Sequence, residues 1–353
     1  MFFDLPHDDI LYDALLARDP AYEGRAYVAV SSTGIFCRLT CPARKPKRVN
    51  CHFYETVAHC LDAGFRPCRR CHPLKPAAES DPIVRKLLAS LAQNPTYRWQ
   101  EADIDLMGLD PSTVRRSFKR HFGMTFLEMA RQRRLAYGLS TLEDRPVIDA
   151  QLDAGFESPA AFRAAFTKLL GRPPAAFRKD ALLLAEPIET PLGIMIAICD
   201  NNALHLLEFI DRKALPNELK RLRQMAKGHI GGGATSVTGQ VRAELKAYFS
   251  GTSAQFKTPV ALHGTEFTKT VWHALRLIPA GVTTSYSALA RSIGAPQSTR
   301  AVARANGANQ IALMIPCHRV LGADGSLTGY GGGLWRKQKL IDIEQRYARK
   351  ADT

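Results

Sequence analysis

Apolar positions along this chain change period from one segment to the next. Val114, Phe118 and Phe122 recur at i, i+4 and i+8, which predicts a helix that buries one face and leaves Arg115, Arg116 and Lys119 on the others. Val57, Cys60, Leu61 and Phe65 predict a shorter helical stripe nearer the N-terminus. Residues 194–199 form a continuous apolar run of strand type, and residues 203–210 predict a second strand across an Asp200-Asn201-Asn202 turn. Polar, proline-bearing stretches punctuate these patterns. Residues 73–82 read as a linker into a helix, residues 186–191 open a third segment, and residues 227–233 read as a flexible loop inside it.

The middle segment repeats one device. Residues 104–123 give a short helix, a glycine-bearing turn, and a second helix opened by Asp110-Pro111-Ser112. This is helix-turn-helix grammar. It recurs at residues 147–166, where Ser158-Pro159 opens a helix whose charges are Arg163 and Lys168. The fold class that follows is multidomain α+β. A small α/β unit is expected over 1–76, an all-helical double helix-turn-helix over 82–180, and a unit with a β-sheet lobe and a helical lobe over 186–353.

Charge narrows the partners. The chain of 353 residues carries a formal net charge of +15. The excess is clustered: residues 38–71 hold eight basic side chains against two acids, and residues 115–134 hold seven against one. Two separate basic runs point to a polyanion, and nucleic acid is the expected partner. No apolar run reaches the roughly 18 residues that a membrane helix needs, so no membrane contact is expected. The N-terminus lacks a basic stretch followed by an apolar core, so the expected location is cytoplasmic.

Cysteine placement supplies the chemistry. Six of the eight cysteines fall at 37, 41, 51, 60, 68 and 71, with the others at 199 and 317. The pairs Cys37/Cys41 and Cys68/Cys71 fit a tetrahedral four-sulfur zinc site, with Cys51, Cys60, His52, His59 and His72 as rival ligands. Cys51 and Cys60 read as core residues. Cys317 stands alone beside His318, a pairing suited to a thiol nucleophile and its base.

Three resemblances attach to these residues. Thr33-Gly34-Ile35-Phe36-Cys37-Arg38 and Ala63-Gly64-Phe65-Arg66-Pro67-Cys68 resemble the N-terminal domain of Ada-type DNA repair regulators. That resemblance implies one zinc ion on Cys37, Cys41, Cys68 and Cys71, with Cys37 accepting a methyl group from a DNA methylphosphotriester. The paired helix-turn-helix units, closed by Leu170-Gly171-Arg172-Pro173-Pro174-Ala175-Ala176-Phe177-Arg178, resemble AraC-type transcription regulators. This implies contacts with double-stranded DNA from Arg115, Arg116, Lys119 and Arg163.

Ile315-Pro316-Cys317-His318-Arg319-Val320 resembles the active-site signature of O6-alkylguanine-DNA alkyltransferases, and the resemblance extends over residues 193–344. It implies Cys317 as acceptor, His318 as base acting through a water, Glu344 as its orienting carboxylate, and Asn309 as a hinge. Tyr286 would hydrogen-bond the guanine, Arg300 would fill the gap left by the flipped base, and Tyr330 would pack the alkyl group. Two departures stand out: Gly331 where several relatives carry serine, and Ala312 where others carry proline.

Together these imply single-turnover repair of O6-methylguanine, and of O4-methylthymine, on Cys317. Transfer from phosphotriesters to Cys37 would switch a monomeric transcriptional activator that recruits RNA polymerase. The alternative is an AraC-type regulator with a purely structural zinc site fused to a repair methyltransferase.

Overall fold

The computed structural model describes residues 5–19, 22–23, 26–55, 57–73, 81–142, 146–177, 181–225, 229–323, 325, 327 and 329–351. Most of the expected linker, residues 227 and 228 of the expected loop, Arg178 and Thr328 lie outside them.

The N-terminal unit is a small sheet covered on both faces. Strands β1 (Tyr27–Val30), β2 (Ile35–Arg38), β3 (Cys51–Tyr54) and β4 (Arg66–Pro67) lie in the order β3-β1-β2-β4. Side chains alternate along a strand, so β1 serves two cores. Val28 and Val30 face helix α1 (Asp8–Ala17) through Leu11 and Leu15, while Tyr27 and Ala29 meet Phe36 and Cys60 of the opposite layer. Gly34 turns β1 into β2 at φ 66°, a left-handed conformation that costs glycine little. Cys60 lies on α2 (Val57–Asp62) and is buried, as its stripe predicts, but Leu61 is 46% exposed. A six-residue helix presents only one face to the sheet, and Leu61 falls off it.

The middle unit holds α3 (Pro82–Gln93), α4 (Glu101–Leu106), α5 (Pro111–Phe122), α6 (Phe126–Thr141), α7 (Val147–Asp153) and α8 (Pro159–Leu170). Asp81, Asp110 and Ser158 cap α3, α5 and α8, each with proline in the first turn, where its missing N–H costs nothing. Val114, Phe118 and Phe122 are buried as predicted, and Phe118 stacks edge-on against Phe126 at 5.2 Å. Arg115, Arg116, Lys119 and Arg163 are exposed on α5 and α8.

The third unit begins with a sheet of β5 (Leu183–Thr190), β6 (Gly193–Cys199), β7 (Leu204–Phe209) and β8 (Ile230–Gly232), in the order β7-β6-β5-β8. The segment expected to open this unit at 186 is already strand from Leu183. The expected flexible loop contains β8, which is buried and pairs in parallel with β5. Its pairing partner lies far away in sequence, so no local pattern announces it.

The continuous apolar run in β6 follows from double coverage. Met195, Ala197 and Cys199 face the core under α10 (Ser236–Ser250) and the helical lobe, whereas Ile194, Ile196 and Ile198 face Leu139, Phe162 and Phe166 of the middle unit. Helix α9 (Leu215–Met225) also packs against α8. The helical lobe holds α11 (Glu266–Arg276), α12 (Tyr286–Ser292), α13 (Thr299–Gly307) and α14 (Leu334–Ala351), with short parallel strands β9 (Thr284–Ser285) and β10 (Val320–Leu321) between them. Among the described residues no helix is long and apolar enough to cross a membrane.

The core shared by the middle unit and the sheet predicts a joint loss of stability. Ile196 is fully buried there. Ile196→Ala should cost about 2–5 kcal/mol and lower the urea midpoint of the middle helices and the β-sheet together. Spectroscopic probes placed in each unit test this; a shift confined to the sheet would show that the two fold independently.

Candidate functional site

Two sulfur centres stand out. In the N-terminal unit the Sγ atoms of Cys37, Cys41, Cys68 and Cys71 lie within 4.8 Å of one another, and Cys41 and Cys68 are 4.0 Å apart. Zinc–sulfur bonds of about 2.3 Å in a tetrahedron set sulfur edges near 3.8 Å, so the cluster has the size of such a site. The hairpin brings Cys37 to the end of β2, and the β4 turn brings Cys68 and Cys71 beneath it.

Backbone amides of Arg38 and Arg70 donate to the sulfurs of Cys71 and Cys68, each at 3.4 Å. Hydrogen bonding to Cys41 and Cys71, followed by burial, holds the Cys37 thiol far above its ordinary value when no cation balances the four sulfurs. The donor set therefore fits zinc, whose charge would keep all four as thiolates. Cys41, Cys68 and Cys71 are buried; Cys37 is the one ligand partly open to solvent.

The rival ligands stand apart. Cys51 donates to the Lys47 carbonyl from inside the α1 core, and Cys60 is sealed beneath Phe36. Arg38, counted above among the basic side chains, is 5% exposed and tied to Glu23 and to the carbonyls of Cys71 and His72. It braces the sulfur site instead of facing a polyanion.

The second centre surrounds Cys317, on a single 3-10 turn between the sheet lobe and the helical lobe. Asn309 Nδ2 donates to Cys317 Sγ at 3.1 Å and to the Ile315 carbonyl at 2.7 Å, while its Oδ1 accepts from Ile311 N at 2.9 Å. These bonds tie the chain back on itself between Asn309 and Cys317. His318 is fully buried, with Nε2 2.9 Å from Glu344 Oε1.

Glu344, on α14, also accepts from Arg319 Nε and Nη2 at 2.8 Å, Tyr248 OH at 2.9 Å and Gly281 N at 3.2 Å. Burial opposes its charge, yet His318 and Arg319 hold its carboxyl well below the usual range. An ionised carboxylate only accepts, so the Nε2 of His318 carries the proton and Nδ1 is left bare. That Nδ1 is buried and has no hydrogen-bond partner among the described residues. Burial lowers the His318 pKa, although Glu344 pulls it up. Burial raises the Cys317 thiol, against Asn309, Arg212 and Lys337, which favour the thiolate.

Of the remaining expected residues, Tyr286 and Tyr330 lie around this centre. Asn306 Nδ2 reaches the Cys317 carbonyl at 3.4 Å and Tyr286 OH at 3.5 Å. Tyr330 packs against the cluster that contains Cys317, and its buried hydroxyl has no partner among the described residues. Arg300 is apart from them, exposed in the first turn of α13.

Both departures from the alkyltransferase pattern have partners. A Cβ on Gly331 would lie 2.7 Å from Cζ of Arg212, whose guanidinium fills that space. Arg212 is itself held by Glu208, by Glu218 at 3.0 Å and by the carbonyls of Asn309 and Gly307 at 2.8 and 2.9 Å. Ala312 donates its N–H to the Leu207 carbonyl at 2.7 Å, a bond proline cannot make. Sequence reasoning missed Arg212, Tyr248, Asn306 and Arg319. Only Arg319 carried a signal, its place directly after His318.

Comparison with known proteins agrees along the whole chain. Residues 11–73 match the model of the metal binding domain of Ada, residues 105–180 a helix-turn-helix domain, and residues 266–346 the DNA binding domain of 6-O-methylguanine DNA methyltransferase. The chain is 36% identical over 345 residues to the bifunctional transcriptional activator/DNA repair enzyme Ada of Escherichia coli, covering 96% of each protein. It is 32% identical to the regulatory protein ada of Salmonella typhimurium over 96% of each. The crystal structure of Mycobacterium tuberculosis OGT in complex with DNA shares 37% identity, covering 46% of this chain and 92% of that one at a TM-score of 0.41.

Two outcomes follow from the geometry. Metal analysis of the purified chain should find one zinc ion, lost in Cys68→Ser and kept in Cys51→Ser; loss in the latter would mean that Cys51 is a ligand. If His318 is the base for Cys317, transfer needs its neutral form, and its pKa is lowered. Its rate should therefore hold from pH 8 down past the ordinary histidine value of about 6.5 and fall only below it. Glu344→Gln replaces an acceptor-only carboxylate with an amide that can also donate, so the His318 tautomer is no longer fixed, and transfer should slow by about 10²-fold or more at every pH.

Proposed function

The chain belongs to the Ada family of bifunctional transcriptional activators and DNA repair enzymes, and on that premise we propose how its residues divide the work. The reading assigns phosphotriester repair to 1–76, promoter binding to 82–180, and guanine repair to 186–353 with a first strand reaching back to Leu183. The observation that carries it is the buried chain Cys317, Asn309, His318 and Glu344.

At Cys317 the thiol proton passes through a water to Nδ1 of His318, and Asn309 Nδ2–H steadies the developing thiolate. The sulfur attacks the alkyl carbon. A carbon–sulfur bond forms as the carbon–O6 bond breaks, and its electron pair returns to the base, which takes up one proton and becomes guanine. O4-methylthymine offers the same carbon–oxygen bond. The reacting carbon is hidden inside a duplex, so the nucleotide must be flipped out. Helices α12 and α13 supply the lobe that meets the DNA, Arg300 takes the vacated place in the stack, Tyr286 hydrogen-bonds the guanine, and Tyr330 packs the alkyl group. The thioether product is a poor leaving group, so each molecule acts once.

Zinc on Cys37, Cys41, Cys68 and Cys71 would keep those sulfurs nucleophilic at neutral pH. Cys37, the ligand nearest solvent, is the acceptor for a phosphotriester methyl. Methylation turns its thiolate into a neutral thioether and removes one negative charge facing the DNA backbone. Tighter DNA binding through Arg115, Arg116, Lys119 and Arg163 then supports recruitment of RNA polymerase. The working form is a cytoplasmic monomer.

The test is DNA affinity across a salt series before and after methylation of Cys37. The reading expects tighter binding and a salt slope steeper by about one after methylation. An unchanged affinity and slope would remove the switch and leave Cys37 as a methyl acceptor without a regulatory consequence.

A further inference from the structure

A cleft outside both sulfur centres lies at the N-terminal end of α8. It has a volume of about 340 Å³ and is lined by Arg98, Arg131, Arg134, Phe156, Glu157 and Ser158 among others. Arg131 and Arg134 are one helical turn apart on α6 and therefore share a face, whereas Arg133 is turned toward Glu189 of the sheet at 3.5 Å. Arg98 reaches the same cleft from the connection between α3 and α4.

Arg134 is the unusual member. It is only 7% exposed, its Nη1 donates to the Gly155 carbonyl at 2.8 Å, and its guanidinium lies 4.8 Å above the Phe156 ring. Its buried Nε has no hydrogen-bond partner among the described residues. Burial, with Arg98 and Arg131 close by, disfavours its charge. Three guanidinium groups face one carboxylate, Glu157, which pairs with Arg98 at 2.7 Å on open surface where such a pair contributes little. Ser158 caps the twelve-residue α8, whose positive dipole end opens on the same cleft. The buried Arg134 cation, Arg98, Arg131 and a helix N-terminus converge on a space large enough for a phosphate and its flanking sugar.

We propose that this cleft is a phosphate-binding site that clamps the DNA backbone beside the second recognition helix. The proposal rests on the reading that the helical unit grips DNA. A free phosphate-bearing ligand presents the same chemistry, so the experiment separates the two sources.

Duplex DNA affinity of the full chain is measured across a salt series for Arg98→Gln, Arg131→Gln and Arg134→Lys, with Arg163→Gln as a reference on the face of α8. Methyl transfer from free O6-methylguanine to Cys317 monitors folding and should stay unchanged in the three cleft variants. Arg98→Gln and Arg131→Gln should each lower the salt slope by about 0.9, and Arg134→Lys should weaken binding with its charge retained. In parallel, inorganic phosphate is titrated against thermal stability of the full chain and of Arg131→Gln.

Unchanged slopes in the cleft variants beside a lowered slope in Arg163→Gln would overturn the clamp and leave the DNA-binding reading intact. Unchanged slopes in all four would overturn both. A phosphate-dependent rise in Tm that Arg131→Gln abolishes, with DNA binding untouched, would overturn the DNA assignment in favour of a free phosphate ligand.

Discussion

A buried thiol resists ionisation, and the two reactive centres are two ways around that penalty. Cys60 and Cys199 show the unrelieved case: burial pushes each up to about 12, and they remain inert packing. Cys317 carries the same burden, but it accepts the Asn309 amide and lies in the fields of Arg212 and Lys337. His318 stands ready in the one tautomer that Glu344 allows. Cys37 is relieved differently, by sharing with three other sulfurs a space that fits a dication.

The rest of the structure serves these two arrangements. Four residues on three elements donate to Glu344, so α10, the Gly281 turn and the Cys317 turn are tied to α14 at one carboxylate. Arg212 links the Asn309 backbone to the space beside Gly331, and Arg336 stacks on Phe209 and Trp335 while its Nη1 donates to the Gly332 carbonyl. The glycine segment beside Tyr330 is therefore fastened to the same groups that aim the nucleophile. Trp335 meets Phe122 edge-on at 5.7 Å, and Ile194, Ile196 and Ile198 share a core with Phe162 and Phe166. The helix-turn-helix unit and the unit that holds Cys317 thus pack as neighbours.

Much of this was legible in the sequence wherever the controlling interaction is local. The stripe of Val114, Phe118 and Phe122 follows from helical periodicity, and the run in β6 is apolar throughout because both of its faces are covered. Cys317, His318, Asn309 and Glu344 came from motif and spacing. What stayed hidden depends on distant partners. Strand β8 exists because β5 pairs with it, Leu61 is exposed because its helix is one face wide, and Arg38 is internal because Glu23 meets it. Arg212 and Tyr248 sit in unremarkable surroundings along the chain, and only the fold brings them to Asn309 and Glu344. The charge count was right as a total and misleading for individual residues.

If relief of the burial penalty selects the acceptors, only two of the eight cysteines should take up methyl groups. The direct measurement is intact mass with peptide mapping after the zinc-loaded chain meets DNA carrying both O6-methylguanine and methylphosphotriesters. The account predicts one methyl on Cys37, one on Cys317, and none on Cys51, Cys60 or Cys199. Methyl groups spread over the buried packing cysteines, or none on Cys37, would contradict it.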